Sequence, residues 1–230
     1  MFEFMQQSVF CGVLITLLAY GIGMLVKKKF KLAIFNPLLL AIVLTILILL
    51  IFKVDYKTYS EGADYISYLL TPATICLAIP LYEQFELLKK NVAALLIGII
   101  SGVLTSLCTI LVLAILFEMD HKAYVTLLPK SITTAIGMGV SEELGGYISI
   151  TVAVIIVTGI LGNILAEIIC KVFHITEPIA KGVAIGTASH AIGTTKAMEM
   201  GEVEGAVSSL SIVVAGILTV VGANIFSNFI

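Results

Sequence analysis

The stretch Gly182–Gly205, GVAIGTASHAIGTTKAMEMGEVEG, decides how the rest of this chain is arranged. It combines glycines and hydroxyl side chains with His190, Lys196 and glutamates, in a chain that is otherwise rich in Leu, Ile, Val and Ala. Unpaired polar groups in hydrocarbon are costly, so such a stretch avoids lipid. We therefore expect it to face protein or a water-filled cavity, where polar residues mark a pathway or a binding site.

The composition is typical of a polytopic α-helical membrane protein. Of the 230 residues, 60% are hydrophobic and 12% are charged, against about 25% charged residues in soluble domains. The net charge of −2 argues against a nucleic-acid partner. The four cysteines lack metal-ligand spacing, so we expect no metal site, no disulfide and no cofactor. Most of the chain is expected to be surrounded by membrane lipid.

Apolar runs predict about six full transmembrane helices. They cover residues 8–26, 37–52, 63–81, 92–117, 147–170 and 206–230. The N-terminal residues lack the basic region of a cleavable signal, so the first run is expected to remain as a helix. Lys27, Lys28, Lys29 and Lys31 follow it. Because Lys and Arg are enriched in the cytoplasmic loops of membrane proteins, this cluster is expected inside and the N-terminus outside.

The third apolar run contains two prolines, Pro72 and Pro80. Each proline removes a backbone donor and clashes with the preceding turn, so this helix is expected to be kinked or broken. Carbonyl groups freed by the break would be able to line a cavity. The alternative is a plain kinked helix in which Thr71 and Thr74 bond back to their own backbone.

A second polar stretch, LLPKSITTAIGMGVSEELGG, covers Leu127–Gly146. It is too polar for a lipid-facing span, so we predict a re-entrant hairpin or a broken helix. If this stretch enters and leaves on the outer face, most lysines fall on the cytoplasmic side, as is usual in membrane proteins. Tyr124 and Tyr147 flank it, which suits two ends at one interface. A pair of crossed broken helices remains the alternative.

Residues 133–165 align without gaps to residues 194–226, and a Thr-Thr pair, a glutamate and an asparagine recur in register. With the first unit entering from outside and the second from inside, this pattern predicts an inverted repeat, as in many secondary transporters. Chance similarity is the alternative. We predict one all-α integral membrane domain over 1–230, with N-terminal helices over 1–120 and repeat-like units over 121–171 and 178–230.

Three long motifs resemble the LrgB/CidB family of bacterial membrane proteins. They are LLTPATICLAIPLYEQ at Leu69–Gln84, the Leu127–Gly146 stretch, and PIAKGVAIGTASHAIGTTKAMEMGEVEGAVSS at Pro178–Ser209. The resemblance implies a multi-pass protein of the bacterial inner membrane, related to plastid glycolate/glycerate translocators. It implies either transport of small carboxylates such as pyruvate or glycolate, or antiholin-like regulation of murein hydrolase activity and lysis. It also implies a holin-like partner of the LrgA/CidA type; a homo-oligomer is a further expectation.

The residues favour transport, because the chain places its polar side chains inside the membrane whereas a regulator needs a surface. A small carboxylate requires donors and positive charge, which hydroxyl groups, lysines and half-helix N-termini supply. The expected substrate-binding residues are Thr71, Pro72, Thr74, Lys130, Ser131, Thr133, Thr134, Ser189, His190, Thr194, Thr195 and Lys196. Instead of binding substrate, each lysine could extend its side chain to the membrane interface. The alternative for His190 is a buried imidazole that only forms hydrogen bonds between helices.

A second set of residues is expected to couple protons or to join helices. His190, which titrates near neutral pH, and Glu142, Glu202 and Glu204 are the expected coupling groups. The alternative for the glutamates is a lysine partner or a solvated face. Asn163, Glu167 and Asn224 are expected to join helices by hydrogen bonds.

No enzyme activity is expected, because the sequence has no phosphate loop, nucleophile motif or metal-ligand cluster. A passive channel is an alternative to a carrier. A pure regulator is another, and it would bind its partner through a small-residue helix face such as Gly98–Gly102.

Overall fold

The computed structural model describes residues 10–30, 35–76 and 78–230, without the side chains of Leu70, Thr74, Pro80 and Leu81. The elements in these ranges are α-helices and one 3-10 turn, which confirms the all-α prediction. Ser8 and Val9 of the first predicted span, and Lys31 of the lysine cluster, lie outside the described residues. The chain divides into two compact units, Met1–Cys76 and Leu77–Ile230.

Among its described residues, the first unit has two apolar helices and two shorter ones. They are α1 (Phe10–Phe30), α2 (Pro37–Phe52), α3 (Tyr56–Ser67) and α4 (Leu70–Cys76). Asn36 caps α2 by accepting from the Leu38 amide at 2.8 Å, and Pro37 occupies the first turn, where its missing N–H costs no helical bond. Gly23 allows α1 to lie directly against Pro37. The start of α2 is therefore capped and lies against the middle of α1.

The second unit contains the two polar stretches. Its helices are α5 (Ala78–Glu83), α6 (Phe85–Lys90), α7 (Val92–Leu116), α8 (His121–Leu127), α9 (Thr134–Glu143), α10 (Ile148–Val172), α11 (Pro178–Met200) and α12 (Glu202–Phe226), followed by a 3-10 turn at Ser227–Phe229. Its largest buried cluster includes Ile99 and Leu107 of α7 with Tyr124 and Val125 of α8. The core therefore joins a long helix to the first polar stretch.

Within the described residues, four helices are long and apolar enough to cross a membrane: α1, α7, α10 and α12 with its 3-10 turn. The 16-residue α2 is apolar but shorter. The predicted span 63–81 is divided, because the chain turns at Tyr68 and Leu69 between α3 and α4. Pro72 lies in the first turn of α4, where a proline is tolerated. This agrees with the expected break.

The first polar stretch folds as a re-entrant hairpin, called here the first hairpin (residues 121–143). Helix α8 runs inwards, the chain turns at residues 128–133, and α9 runs back. At the open end the Lys122 Nζ atom lies 4.3 Å from the Tyr147 ring centroid. The Tyr147 amide donates to Thr126 Oγ1 at 2.8 Å. A segment that crossed the membrane could not bring both of its ends together, so the hairpin alternative is the one observed.

Helix α11 is broken at His190, whose φ of 42° and ψ of −144° are not helical. Two half-helices result, residues 178–189 and 191–200. Each spans only about 15–18 Å at 1.5 Å per residue, which is too short to cross a bilayer. The stretch that the sequence singles out is therefore a broken helix, called here the second hairpin (residues 178–200).

Both ends of the second hairpin lie beside the start of α12. The Lys181 Nζ atom is 3.7 Å from Glu204 Oε1 at the entry. At the exit, a Cβ on Gly205 would lie 2.9 Å from Met198 Cγ. Residues near each end thus meet the same turn of α12, so the half-helices run antiparallel and His190 forms the tip.

The two hairpins enter the second unit from opposite ends. The first hairpin starts beside the last turn of α12, where the Tyr124 hydroxyl donates to the Phe226 carbonyl at 3.0 Å. The second hairpin starts beside Glu204, in the first turn of α12. The hairpins therefore start at opposite ends of α12, a helix that is long and apolar enough to cross a membrane. This is the inverted arrangement that the sequence predicts.

Candidate functional site

A cavity of about 400 Å³ lies where both hairpins approach α7. Three elements line it: one side of α7, the tip of the first hairpin and the entering half of the second hairpin. The lining residues are Gly98, Ser101, Gly102, Thr105, Ser106, Thr109, Lys130, Ser131, Val183, Ala184, Thr187 and Ala188. Lys130 is the charged residue in this lining, and no carboxylate is part of it. The cavity is therefore suited to a small anion.

Lys130 is half-buried at the tip of the first hairpin, directly after Pro129. Its Nζ donates to Ser131 Oγ at 2.9 Å, and Ser131 Oγ lies 3.4 Å from Ser106 Oγ of α7. No carboxylate of the described residues lies within ion-pair distance of Nζ. An ammonium group removed from water needs a counter-charge, because burying an isolated charge is costly. A bound anion would supply that charge.

The α7 side of the cavity presents hydroxyl oxygens as acceptors. Ser101, Thr105 and Thr109 are spaced four residues apart, so they share one side of the helix. Thr105 donates to the Ser101 carbonyl at 2.7 Å, and Thr109 donates to the Thr105 carbonyl at 2.6 Å. Ser101 donates to the Gly98 carbonyl at 2.8 Å. Because each of these hydroxyl hydrogens is bonded within α7, the three oxygens are left as acceptors and do not donate to an anion.

Glycines of α7 allow α11 to form the third wall. A Cβ on Gly98 would lie 3.0 Å from Val183 Cγ1, and one on Gly102 would lie 2.7 Å from Thr187 Cγ2. The Gly98–Gly102 face, which the sequence offered as a docking face for a partner, packs against α11 of the same chain. Thr187 is 6% exposed. Its Oγ1 has no hydrogen-bond partner among the described residues.

Sequence reasoning missed five polar groups of this cavity, namely Ser101, Thr105, Ser106 and Thr109 on α7 and Thr187 on α11. The spacing Ser101-x3-Thr105-x3-Thr109 within an apolar span indicates a polar side of the helix, and it could have identified these three residues. Thr187 lies within Gly182–Gly205, but the sequence does not distinguish it from the other threonines there.

A second cavity, of about 710 Å³, lies at the open end of the second hairpin. Its lining residues are Glu167, Cys170, Lys171, His174, Ile175, Thr176, Lys181, Glu199, Met200 and Glu204. Lys196 belongs to this end, since its Nζ is 2.6 Å from Glu167 Oε1 and 3.2 Å from Glu199 Oε2. Lys196 is thus already neutralised by carboxylates. The structure separates it from Lys130, with which the sequence grouped it.

His190 is almost fully buried, at 2% exposure, and its Nε2 lies 3.0 Å from the Ile155 carbonyl of α10. An Nε2–H group that donates to this carbonyl joins the hairpin tip to a spanning helix. Thr194 donates to the His190 carbonyl at 2.9 Å and lies 2.7 Å from Ser208 Oγ. Both side chains are hydrogen-bonded in the protein interior, and neither lines the Lys130 cavity.

The other predicted site residues are dispersed. Those of the hairpins are half-buried Thr133 and Thr134, buried Ser189, and exposed Thr195 and Glu142. In the first turn of α12, Glu202 is exposed and Glu204 is paired with Lys181. In the first unit Thr71 and Pro72 of α4 are exposed, and the side chain of Thr74 lies outside the described residues.

The predicted helix-joining residues behave in two ways. Asn163 donates to the Ile192 carbonyl at 2.9 Å, and Glu167 pairs with Lys196, so both connect α10 to α11. Asn224 donates to the Val220 carbonyl of its own helix at 3.1 Å. Among the described residues, no group of three or more His, Cys, Asp or Glu side chains is placed to hold a metal ion.

The fold and the site define a class: a multi-pass α-helical membrane protein with a polar cavity beside two hairpins that start at opposite ends of one long apolar helix. Comparison with known proteins then places the chain. It belongs to the LrgB-like family, whose model matches residues 16–229. This confirms the resemblance carried by the three sequence motifs.

The chain is similar to these relatives over nearly their whole lengths. An antiholin-like protein LrgB of Bacillus cereus (strain B4264) is 39% identical over 220 residues, which cover 95% of this chain and 96% of that relative. The antiholin-like protein LrgB of Bacillus anthracis (strain A0248) gives the same identity and coverage. No solved structure shows a significant match.

Proposed function

We propose that this chain is a carrier of small carboxylates, of the pyruvate or glycolate kind, in the bacterial cell membrane. One observation carries the proposal: the half-buried Lys130 ammonium faces a hydroxyl-lined cavity and has no carboxylate partner among the described residues. A carboxylate in the cavity would form charge-assisted hydrogen bonds with this group. We further propose that it acts with a holin-like partner of the LrgA/CidA type.

The opposed hairpins support transport over a static binding site. Hairpins and broken helices that meet near the centre of the membrane recur in secondary transporters, where one repeat moves against the other around a fixed site. Here Lys130 belongs to the first hairpin and Ala184 to the second. A movement of either hairpin would change which face of the membrane the cavity reaches.

A second candidate function is antiholin-like regulation of murein hydrolase activity and lysis, without transport by this chain. It is favoured by the relatives described above, which are named antiholin-like proteins. A regulator acts through a surface shared with a partner and does not require an anion in the Lys130 cavity. Substitution of Lys130 therefore separates the two functions.

The test is uptake of radiolabelled pyruvate and glycolate into proteoliposomes under an imposed proton gradient, with and without the holin-like partner. We expect saturable uptake, and a loss of about tenfold or more in kcat/KM for Lys130→Gln, because hydrogen bonds to charged groups contribute about 1.5–3 kcal/mol. Lys89→Gln is the matched control, since Lys89 is exposed at the end of α6 and lies outside the cavity.

The result that would overturn the carrier proposal is also specific. If every preparation fails to take up either carboxylate while the chain still binds its partner, regulation becomes the better account. Equal uptake by the wild-type protein and Lys130→Gln would show that the transported anion does not use this cavity.

A further inference from the structure

The hydroxyl group of Thr187 is an anomaly in the wall of the Lys130 cavity. Hydroxyl groups in neighbouring helices bond back to their own backbone, as Thr105 does to the Ser101 carbonyl and Ser211 to the Val207 carbonyl. Thr187 Oγ1 is buried and has no partner among the described residues. Buried polar groups are normally satisfied, so an exception in a native fold calls for a ligand or another functional reason.

The position of Thr187 places this unsatisfied hydroxyl group in the wall of the Lys130 cavity. Thr187 lies on the entering half of the second hairpin and lines the same cavity as Lys130 of the first hairpin. A Cβ on Gly102 would lie 2.7 Å from Thr187 Cγ2 and 3.9 Å from Oγ1, so the methyl group packs against α7 and the hydroxyl group lies further from that helix. A 120° rotation about χ1 exchanges the positions of substituents on Cβ without moving the helix.

The donors of the cavity match the two oxygens of a carboxylate. The Lys130 ammonium has three N–H groups, of which one is directed at Ser131 Oγ. Thr187 has one uncommitted O–H group. The α7 hydroxyls Ser101, Thr105 and Thr109 donate elsewhere. A carboxylate would therefore accept a charge-assisted hydrogen bond from Lys130 of one hairpin and a hydrogen bond from the Thr187 hydroxyl group of the other.

We propose that Thr187 Oγ1 is the second donor of the carboxylate site, opposite Lys130, so that the bound anion connects the two hairpins. This assignment rests on the proposed function and adds a residue to it. Thr187 is a binding residue in this account. Its hydroxyl group is unsatisfied when the cavity is empty and becomes satisfied when the anion enters.

The account predicts opposite effects on stability and on binding. Thr187→Val keeps the shape of the side chain and removes an unsatisfied hydroxyl group, so the melting temperature of the ligand-free protein in detergent should rise. The same change should reduce the affinity for pyruvate or glycolate about tenfold, measured as the ligand-induced shift of the melting temperature and as KM for uptake. Thr187→Ser should retain both the shift and the KM.

Thr151→Val is the matched control. Thr151 is fully buried in α10 and is satisfied by the Thr126 carbonyl at 3.0 Å and Ser141 Oγ at 2.7 Å, away from the cavity lining. Removing its hydroxyl group should lower the melting temperature and leave the ligand-induced shift intact. A merely structural Thr187 would behave in the same way as Thr151.

The outcomes distinguish the two proposals. If Lys130→Gln abolishes the ligand-induced shift and Thr187→Val leaves the shift and KM unchanged, the Thr187 assignment is wrong and the carboxylate site stands. A lower melting temperature for ligand-free Thr187→Val also contradicts the assignment. If wild-type protein shows neither a shift nor uptake with either carboxylate, both proposals fail.

Discussion

At the scale of single residues, two glycines of α10 determine how closely the tip of the second hairpin approaches that helix. A Cβ on Gly159 would lie 2.8 Å from His190 Cε1, closer than side-chain atoms approach one another. A Cβ on Gly162 would overlap with Ser189 Oγ. The absence of these two side chains is what allows the His190–Ile155 hydrogen bond to form.

Gly162→Ala should therefore destabilise the protein by about 1–3 kcal/mol, the usual cost of overpacking a tight contact. The measurement is thermal unfolding in detergent. Gly139→Ala is the control, because a Cβ there would meet nothing within 4 Å in α9. Alanine favours helix over glycine, so this control should be neutral or slightly stabilising. Equal effects of the two changes would contradict the contact.

Lys130 and Lys196 show what the sequence predicts at this scale and what it does not. Their presence in polar stretches correctly marks them as residues inside the protein. Their environments differ because Lys196 meets Glu167 of α10, which is 29 positions earlier in the sequence and pairs with it at 2.6 Å. Such a partner is set by tertiary packing, so the separation of the two lysines is visible only in the structure.

At the scale of elements, the break in α11 depends on one residue in an unusual conformation. The φ of 42° at His190 lies where L-residues other than glycine are strained. The strain is opposed by the bond from Nε2 to the Ile155 carbonyl and by the burial of the ring. The sequence predicts a polar break here but not the residue at which it occurs, because no proline marks it.

A pair of substitutions tests the break. His190→Gly and His190→Ala both remove the imidazole ring, but glycine adopts positive φ without strain. The glycine variant should therefore melt at a higher temperature than the alanine variant. In a continuous helix the order would be reversed, since glycine is about 1 kcal/mol less favourable than alanine there. The order of the two melting temperatures thus reports the backbone conformation.

Helix α7 shows why an element can be predicted while its role is missed. Its apolar composition predicts the span over 92–117, and the helix runs from Val92 to Leu116. The hydroxyl groups of Ser101 and Thr105 bond within the same helix, which makes them compatible with an apolar span. Only the approach of Lys130 turns that side into a cavity wall.

At the scale of the whole molecule, the opposed hairpins predict that Glu142 and His174 lie on opposite faces of the membrane. Glu142 is exposed near the open end of the first hairpin, and His174 is exposed just after α10. Helix α10, with 25 residues, separates the two positions. The lysine distribution predicts that the Glu142 side faces outward.

Cysteine labelling measures this arrangement in intact cells. In a variant lacking the four native cysteines, Glu142→Cys should react with a membrane-impermeant maleimide. His174→Cys should react only after the membrane is permeabilised. Labelling of both positions from the same side would contradict the hairpin arrangement. The reverse order would keep the hairpins and invert the predicted orientation.

The packing of the second hairpin against α12 has a consequence for biosynthesis. Residues 178–200 leave the ribosome before the helix at Glu202–Phe226 that covers them. Neither half-helix is long enough to be released into lipid as an independent span. We therefore expect the hairpin to stay beside the insertion machinery until α12 has been synthesised and can pack against it.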